Sequence, residues 1–412
     1  MSQKKLVVIG GGAAGIFCAV NAARLNSALE VVVLEKTAHL LSKVKISGGG
    51  RCNVTHSCFS IAAMQKNYPR GEKFLKRPFH DFFTIDTIEW FKERGVELKT
   101  EADGRMFPDT NSSQTIIDCL LAEADTYKIV IRRHAHVKEI TGNEGKFRLR
   151  LGEDSEMLEA DYICLATGGY SKALQFDWLK NLGHSLSNPV PSLFTFNLPK
   201  HAISQLMGVV VPDVIVKIAG TNLRQQGPVL ITHWGLSGPA VLKLSAWGAR
   251  LLAEKDYNFD VVINWLPDYT EQTLLERLQQ QRFSLAPQKI INRNPFGLSS
   301  RFWEFMLSET GIDANLRWAD LPAKLQNKLA KRLCVYEIKV QGKTTFKEEF
   351  VTAGGIRLSE IDPQTMESRL VPGIYFAGEV MDVDGVTGGF NFQHAWSSGW
   401  LAARAIAQKV HA

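Results

Sequence analysis

The chain has 412 residues, which is long enough to bury a large hydrophobic core and predicts two or three domains. Hydrophobic residues make up 45% of it and charged residues 22%, proportions that are ordinary for a globular protein and argue against a disordered one. The formal net charge of +6 reflects a mild basic excess, which favours solvated basic faces over a nucleic-acid partner.

One apolar run, residues 6–23, invites comparison with a membrane span or a signal peptide. It contains glycines, begins like a strand and lacks an A-x-A cleavage pattern, which argues against both. We therefore expect a cytoplasmic protein without a membrane partner. The six cysteines contain no C-x-x-C pair, so the sequence indicates neither a disulfide framework nor a metal site.

The N-terminal stretch reads as a strand, a glycine-rich turn, a helix and a second strand. Gly10, Gly12 and Gly15 fill the G-x-G-x-x-G spacing, which permits a tight turn, close approach of a pyrophosphate and close helix–strand packing. A helix over about Ala13–Leu25 would point its positive N-terminus at the phosphates. Glu35 ends the second strand, where a carboxylate accepts from ribose hydroxyls and repels a 2′-phosphate. This pattern favours FAD or NAD over NADP; a glycine-rich turn without a ligand is the alternative.

A second glycine-rich segment follows at residues 47–55. Three successive glycines let the backbone approach a flat ring or a phosphate closely, because no Cβ intervenes. Arg51 and Asn53 offer donors beside that surface, and Lys43 precedes it. Cys52 has no partner thiol at C-x-x-C spacing, so we interpret it as a small residue against the edge of a ring, with a redox thiol as the alternative. For the segment as a whole, the alternative is a flexible loop.

Two later segments, 161–169 and 373–379, are apolar runs that end in glycine. Such runs are typical of parallel strands covered on both faces. The nucleotide-binding domain is therefore predicted to be an α/β domain assembled from both ends of the chain, residues 1–190 and 344–412.

Residues 191–343 differ in character and are predicted to form an inserted domain. It is β-rich, with a helical part at about 270–331 that is broken by prolines. Ahead of this insertion, strands near 129–133 and 146–151 are predicted to pair as a hairpin.

Residues 377–394 combine acidic side chains and glycines ahead of a helix predicted over about 391–408. The glycines at 388 and 389 expose the amides at the helix start. A helix N-terminus aimed at a flavin stabilises negative charge on its N1–C2 carbonyl side during reduction. The run lacks EF-hand spacing, so calcium is not favoured. Three carboxylates are candidates to hold ribityl or ribose hydroxyls: Glu379, Asp382 and Asp384.

A candidate acid or base lies in the predicted insertion. His233 stands beside a tryptophan on the glycine-bounded segment 232–239, and histidine titrates near neutral pH. A structural loop with a hydrogen-bonded histidine is an equal alternative. His394 in the final helix is the other candidate. A Ser–His–Asp hydrolase is not favoured, because the nearby serine lacks the G-x-S-x-G elbow.

Together these segments resemble the bacterial flavoproteins labelled BaiN/YhiN-like or aminoacetone-oxidase-like, a family of FAD-dependent oxidoreductases. The resemblance implies a Rossmann-like FAD domain built from both chain ends, with a β-barrel-like insertion and a small helical bundle. It does not identify a substrate. The matching segments lie in order over almost the whole chain: 10–15 with Glu35, 46–53, 232–239, 351–356 and 372–391.

We predict FAD bound non-covalently in an extended form. The predicted contacts are Gly10, Gly12, Ala13, Ala14 and Gly15 at the pyrophosphate; Glu35 with its neighbour Lys36, Val137, Thr167 and Gly168 on the adenosine side; Lys43, Ser47, Gly48, Gly49, Gly50, Arg51, Cys52 and Asn53 near the ring; and Gly378, Glu379, Asp384, Gly389, Asn391 and Phe392 at the ribityl chain and ring.

The predicted activity is a two-electron redox step on an unidentified small-molecule substrate, with the insertion covering the substrate face. No second G-x-G-x-x-G follows the first, so NAD(P)H, if it is used, is expected to bind transiently at the flavin. The alternative is a non-catalytic or RNA-associated flavin-binding protein, favoured only by the basic excess. The oligomeric state stays open.

Overall fold

The computed structural model describes residues 3–143, 145–152, 156–345 and 351–410. The strands are β1 (Lys4–Ile9), β2 (Leu29–Leu34), β3 (Thr55–His56), β4 (Leu98–Thr100), β5 (Arg105–Pro108), β6 (Val130–Arg132), β7 (Val137–Asn143), β8 (Lys146–Leu151), β9 (Glu156–Ala160), β10 (Tyr162–Leu165), β11 (Leu186–Ser192), β12 (Thr195–Asn197), β13 (Val210–Ile218), β14 (Arg224–Thr232), β15 (Gly235–Ser237), β16 (Asn258–Asn264), β17 (Tyr336–Gln341), β18 (Lys343–Thr344), β19 (Val351–Ile356) and β20 (Ile374–Phe376).

The helices are α1 (Ala13–Leu25), α2 (Ser42–Gly50), α3 (Ile61–Gln65), α4 (Glu72–Asp81), α5 (Thr84–Lys92), α6 (Ser113–Thr126), α7 (Asp177–Lys180), α8 (Pro239–Trp247), α9 (Ala249–Glu254), α10 (Glu271–Ser284), α11 (Ser300–Thr310), α12 (Ala323–Cys334) and α13 (Phe390–Lys409). They and the strands divide between two compact units. The first unit is Met1–Ser192 with Lys347–Ala412, and the second is Leu193–Phe346.

The first unit is built on a five-stranded parallel sheet with the order β20-β10-β1-β2-β6. Leu6, Val7 and Val8 of β1 are fully buried, as expected for a strand covered on both faces. The strand β2 lies on one side of β1 and β10 lies on the other. The strand order therefore reverses its direction at β1. In open α/β sheets such a switch point opens a crevice at the carboxyl ends of the strands.

Helices α1 and α13 pack closely in the first unit. A Cβ at Gly399 of α13 would lie 2.8 Å from the carbonyl oxygen of Ala14 in α1. The ring of Phe17 lies 4.7 Å from Trp90 and 5.2 Å from Trp396, centroid to centroid. This packing therefore ties the first helix of the chain to its last one.

The predicted hairpin between 129–133 and 146–151 is wrong. Strand β6 pairs in parallel with β2 as the edge of the main sheet, whereas β8 pairs with β7 and β9 in a separate antiparallel sheet. A turn with His134 in the left-handed region separates β6 from β7, and Gly142 lies in the β7–β8 hairpin. Val137 accordingly begins β7, buried opposite Leu151, instead of ending the preceding segment.

The second unit contains a seven-stranded antiparallel sheet with the order β17-β16-β13-β14-β15-β12-β18. Its edge strands β17 and β18 are separated in sequence by Gly342 alone and pair with β16 and β12, so the chain passes from one edge of the sheet directly to the other and the sheet is barrel-like. Helices α10 to α12 form the helical part, with the indoles of Trp265, Trp303 and Trp318 fully buried.

The predicted fold class, a Rossmann-like α/β domain with an inserted β-barrel-like and helical part, is confirmed. Among the described residues, no helix combines the length and the apolar character needed to cross a lipid bilayer.

We expect Gly399→Ala to destabilise the protein. In a solvent-exposed helix this change is favourable by about 1 kcal/mol. Here the new methyl group would meet the Ala14 carbonyl, so we expect the free energy of unfolding to fall by about 1–2 kcal/mol. Urea denaturation measures this, with Gln408→Ala at an exposed position of α13 as the control. A Gly399→Ala protein as stable as the wild type would contradict the close approach of the helices.

Candidate cofactor-binding site

The three glycines of the G-x-G-x-x-G motif, two in the turn after β1 and one in the first turn of α1, have two different roles. A Cβ at Gly10 would lie 2.2 Å from the carbonyl oxygen of Ala166, and one at Gly15 would lie 1.9 Å from that of Gly10. At these two positions the neighbouring backbone leaves no room for a side chain. A Cβ at Gly12 would have nothing within 4 Å among the described residues beyond its chain neighbours. Gly12 therefore presents open backbone.

Helix α1 begins at this open backbone without a side-chain cap. Gly12 is its N-cap, and the first turn carries no acidic residue. The first backbone N–H groups of a helix have no acceptor within it, so the amides of Ala13, Ala14 and Gly15 are donors at the positive end of the helix dipole. Such an end suits a pyrophosphate.

Glu35 is held against the glycine turn by its own carboxylate. One oxygen accepts from the N–H of Gly11 at 2.9 Å and the other from the N–H of Thr37 at 2.8 Å. The side chain is half-buried, which leaves part of the carboxylate available to ribose hydroxyls. The ammonium of Lys36 lies 5.4 Å from the centre of the Tyr170 ring.

Tyr170 was missed by the sequence analysis. Burial raises the pKa of its phenol, with Thr167 and Glu35 as neighbours. The ring therefore lies at the predicted adenosine side, close to Thr167 and Gly168. A glycine pair followed by an aromatic residue, at the end of a buried strand, was the available signal.

A charged cluster lies next to Gly168 and Gly169. The Lys43 ammonium contacts one carboxylate oxygen of Glu379 at 2.6 Å, and the backbone N–H of Thr352 donates to the other at 2.7 Å. A Cβ at Gly169 would lie 2.8 Å from Glu379. Thus Glu379, Lys43 and Gly168 meet near the carboxyl ends of β10 and β20, and Thr352, from β19, is a further residue that the sequence analysis missed.

The glycine segment 47–50 breaks helix α2 at its end. Gly48, Gly49 and Gly50 all have positive φ, and a Cβ at Gly49 or Gly50 would meet no described atom within 4 Å beyond chain neighbours. The hydroxyl of Ser47 donates to the Val44 carbonyl at 3.0 Å. A Cβ at Gly48 would instead lie 2.8 Å from the Phe107 ring, so the open backbone is that of Gly49 and Gly50, and contact of the segment with a ring stays a prediction.

The segment after these glycines is bound to helix α13. With the Asn53 amide oriented to satisfy both partners, it accepts from the N–H of Gly389 at 2.9 Å and donates to the Thr55 carbonyl at 3.0 Å. The Trp396 indole donates to the Val54 carbonyl at 2.9 Å. Asn53 and Gly389, predicted as separate contacts, are thus direct neighbours.

Arg51 and Cys52 differ in what they offer a ligand. The Arg51 guanidinium contacts Glu101 at 2.5 Å and lies over the Phe107 ring, 4.0 Å from its centre. Cys52 is fully buried, and burial raises the pKa of its thiol to about 12. A neutral thiol is a poor nucleophile, which favours the interpretation of Cys52 as a small packing residue over a redox thiol.

Helix α13 also begins without a side-chain cap. Its N-cap is Gly389, with φ of 90°, and its first turn has no acidic residue. The Asn391 amide group is occupied, since it accepts from and donates to the backbone of Gly385 at 2.8 and 2.9 Å. The Phe392 ring stacks on Trp396. The first backbone amides of α13 therefore form a second set of free donors.

Asp384 has a different environment from the one expected. Its carboxylate is completely buried, paired with the Arg70 guanidinium, and accepts from the Ser192 hydroxyl at 2.7 Å. Burial raises the pKa of this carboxyl, and Arg70 and Ser192 act in the opposite direction. Its oxygens already have partners inside the protein, so its role here is structural.

The two candidate histidines differ in exposure. His394 is buried, its Nε2 donates to the Gly378 carbonyl at 3.2 Å, and burial lowers its pKa to about 4. It is therefore neutral at pH 7 and unsuited to donate a proton as imidazolium. His233 is exposed in the turn between β14 and β15 of the second unit, with its ring 4.0 Å from that of Trp234.

The first unit has the donor set that FAD requires. Two uncapped helix N-termini, open glycine backbone and a carboxylate beside the first turn match the pyrophosphate, the ring and the ribose of a dinucleotide. A Cβ at Gly378 would lie 2.8 Å from Ala14, so α1 and the segment preceding α13 converge at this site. Within the described ranges, no group of three His, Cys, Asp or Glu side chains is arranged to hold a metal ion.

Fold and site define an FAD-dependent oxidoreductase of the Rossmann type. A family model described as HI0933-like protein Rossmann domain matches residues 4–405, and the chain belongs to this HI0933-like family. The resemblance to BaiN/YhiN-like flavoproteins is thereby confirmed.

Similar proteins cover the whole chain. The ribosomal RNA dihydrouridine synthase of Escherichia coli is 32% identical, over 98% of each chain. The 3-dehydro-bile acid delta(4,6)-reductase of Clostridium scindens is 28% identical, over 99% of this chain and 100% of that one. The solved 3-ketosteroid delta1-dehydrogenase of Sterolibacterium denitrificans shares the fold, with a TM-score of 0.52, 12% identity and coverage of 99% and 100%.

We expect Gly12→Ala to weaken the binding of FAD and Gly15→Ala to destabilise the fold. Gly12 has room for a methyl group, so the apoprotein should keep its thermal midpoint while affinity for FAD falls about 10- to 100-fold, because the backbone can no longer approach the pyrophosphate closely. Gly15→Ala should destabilise the apoprotein itself. Differential scanning fluorimetry and FAD titration separate the two effects. Equal FAD affinity for Gly12→Ala and wild type would refute the proposed pyrophosphate position.

Proposed function

We propose that the protein is a reductase that saturates a C=C bond conjugated to a carbonyl group, and that its substrate is a uracil base in RNA. The observation that carries this proposal is whole-length similarity to proteins named ribosomal RNA dihydrouridine synthase, 32% identical in Escherichia coli and 30% in Haemophilus influenzae. Dihydrouridine is uridine whose C5=C6 bond, conjugated to the C4 carbonyl, has been saturated.

The distribution of charge supports RNA over a small molecule. Residues 193–346 contain 18 Lys and Arg against 12 Asp and Glu, whereas the rest of the chain contains 30 of each. The whole basic excess therefore belongs to the second unit. Averaged over the chain, the +6 favours solvated basic faces, whereas a positive charge that belongs to one unit favours a polyanion.

A small-molecule enone is the second candidate. The relative from Clostridium scindens, 28% identical, is named for reduction of delta(4,6) double bonds in a 3-dehydro-bile acid, a system conjugated to a ketone. The names of both kinds of relative describe the same type of reaction, the saturation of a C=C bond conjugated to a carbonyl group. The bond type is thus better supported than the substrate that carries it.

In this reaction, some residues of the chain bind the cofactor and another supplies a proton. A bound flavin, once reduced by hydride from NAD(P)H, would supply hydride to the electron-poor carbon of the double bond. The amides at the starts of α1 and α13 would hold the cofactor, and Glu35 would hold a ribose. The neighbouring carbon needs one proton, for which we propose His233, whose imidazole is exposed in the turn between β14 and β15. The neutral, buried His394 is not suited to that role.

The substrate proposal predicts dihydrouridine in RNA. FAD-loaded protein with NADH or NADPH should convert uridine in ribosomal RNA taken from cells that lack the gene, seen as a gain of two hydrogens by nucleoside mass spectrometry. A steroid 4-en-3-one serves as the parallel substrate. Reduction of the enone with unchanged RNA would favour the second candidate. If NAD(P)H reduces the flavin but neither the RNA nor the enone is reduced, the proposal that the enzyme saturates a C=C bond beside a carbonyl is refuted.

We expect His233→Ala to reduce turnover without loss of FAD. Removal of a general acid costs on the order of 10²-fold in rate, whereas His233 lies outside the first unit and should not affect cofactor content. His80→Ala, at an exposed position of α4, is the control. Turnover per bound flavin that matches the control would show that His233 does not supply the proton.

A further inference from the structure

A short paired segment organises the helical part of the second unit. Residues 286–290 run antiparallel to 316–319, with the N–H of Ile290 donating to the Leu316 carbonyl at 2.9 Å and the N–H of Trp318 to the Gln288 carbonyl at 3.0 Å. Lys289 and Arg317 form an antiparallel bridge in this pairing. Residues directly opposite one another project to the same face. Both side chains are exposed, so two cations share that face.

Two further arginines reach the same paired segment. The guanidinium of Arg282, in the last turn of α10, donates to the Ala319 carbonyl at 3.2 Å. The guanidinium of Arg293 donates to the side chain of Gln288 at 2.7 Å. We define Arg282, Lys289, Arg293 and Arg317 as the basic surface.

The ion pairs of the described residues leave out the basic surface. Across the residues that the structure describes, none of its four cations forms an ion pair with a carboxylate. The first unit differs, since Arg94 pairs with Glu123 and Arg132 with Glu156. Of the two carboxylates nearest to Arg317 in sequence, Asp313 accepts from the backbone N–H of Asn315 at 2.7 Å, and Asp320 forms no ion pair with a described residue. Neighbouring cations that lack an ion pair repel one another, and a polyanion relieves that repulsion.

An exposed aromatic ring accompanies these cations. Phe283 directly follows Arg282 near the end of α10 and is 86% exposed, more than any other large hydrophobic side chain described. Burying such a ring is favourable, and every nucleobase offers a flat face on which it can stack. Cations and an exposed aromatic side chain in one region of a protein are the combination that single-stranded RNA binds.

We propose that the basic surface and Phe283 form an RNA-docking site, in which the cations contact phosphates and Phe283 stacks on an unpaired base. The proposal rests on the proposed function for its choice of RNA as the polyanion. It adds a location: contact with RNA is made by the helical part of the second unit. The cations give affinity without reading sequence, since phosphates carry no sequence information.

The test compares two variants that lose equal charge. Arg293→Gln/Arg317→Gln removes two cations of the basic surface, and Lys73→Gln/Lys76→Gln removes two exposed lysines of α4. Binding of a fluorescein-labelled RNA hairpin with a uridine-rich loop is measured by anisotropy over a series of KCl concentrations. We expect the first variant to raise Kd on the order of tenfold and to flatten the salt dependence of log Kd by about 0.7 for each phosphate that the protein no longer neutralises. The control should match the wild type.

Phe283→Ala tests the stacking interaction separately. It should raise Kd about tenfold with an unchanged salt dependence, because the variant keeps every charge. Leu174→Ala, which also truncates a highly exposed apolar side chain, is the control. Unchanged thermal midpoints and FAD content establish that each variant is folded.

The outcomes separate this site from the proposed function. If wild-type protein makes dihydrouridine in RNA while both test variants bind RNA like their controls, the docking site is wrong and the function stands. If the wild type reduces only the steroid enone and does not bind the hairpin, both are wrong. Support for the site also requires that the arginine variant raise the KM for RNA while its rate of flavin reduction by NAD(P)H stays at the wild-type value.

Discussion

The packing of the last helix against the first is the interaction on which the cofactor site depends. Gly399 lets α13 approach the backbone of Ala14, and Gly378, just after β20, lies against the side chain of the same alanine. Both uncapped helix starts belong to this pair of helices, so the two sets of free amides are fixed relative to each other by one interface. The segment around Asn53 is then positioned by its bonds to α13.

Buried polar groups hold the surrounding segments in place. The Gln393 side chain accepts from the hydroxyls of Thr55 and Thr87 at 2.6 and 3.1 Å, and Asp384 pairs with Arg70. Such groups are costly to bury unless they are satisfied, and satisfied networks specify one arrangement. The site is therefore built by side chains that keep the backbone in position, while the backbone itself provides the surface for the ligand.

The sequence predicted those elements of the first unit that a short, contiguous motif encodes. The G-x-G-x-x-G spacing identified the α1 turn, and an apolar run ending in glycine located β10. The β6–β8 hairpin failed because partner choice among short strands depends on tertiary pairing, which strand periodicity does not encode. Asp384 was misjudged for a related reason, since its partner Arg70 is distant in sequence. Tyr170 follows a glycine pair at the end of a buried strand, a signal that was not used, whereas Thr352 gave no recognisable motif and its place near the site follows only from the fold.

The convergence of both chain ends has a consequence for biosynthesis. Elements that precede the second unit, β1 and α1 among them, leave the ribosome long before α13, so the nascent chain exposes an incomplete site throughout elongation. The G-x-G-x-x-G turn alone offers the amides at the start of α1 without those at the start of α13. With the cofactor position proposed above, capture of the flavin is coupled to docking of α13, so assembly of the holoprotein follows translation of the α13 segment.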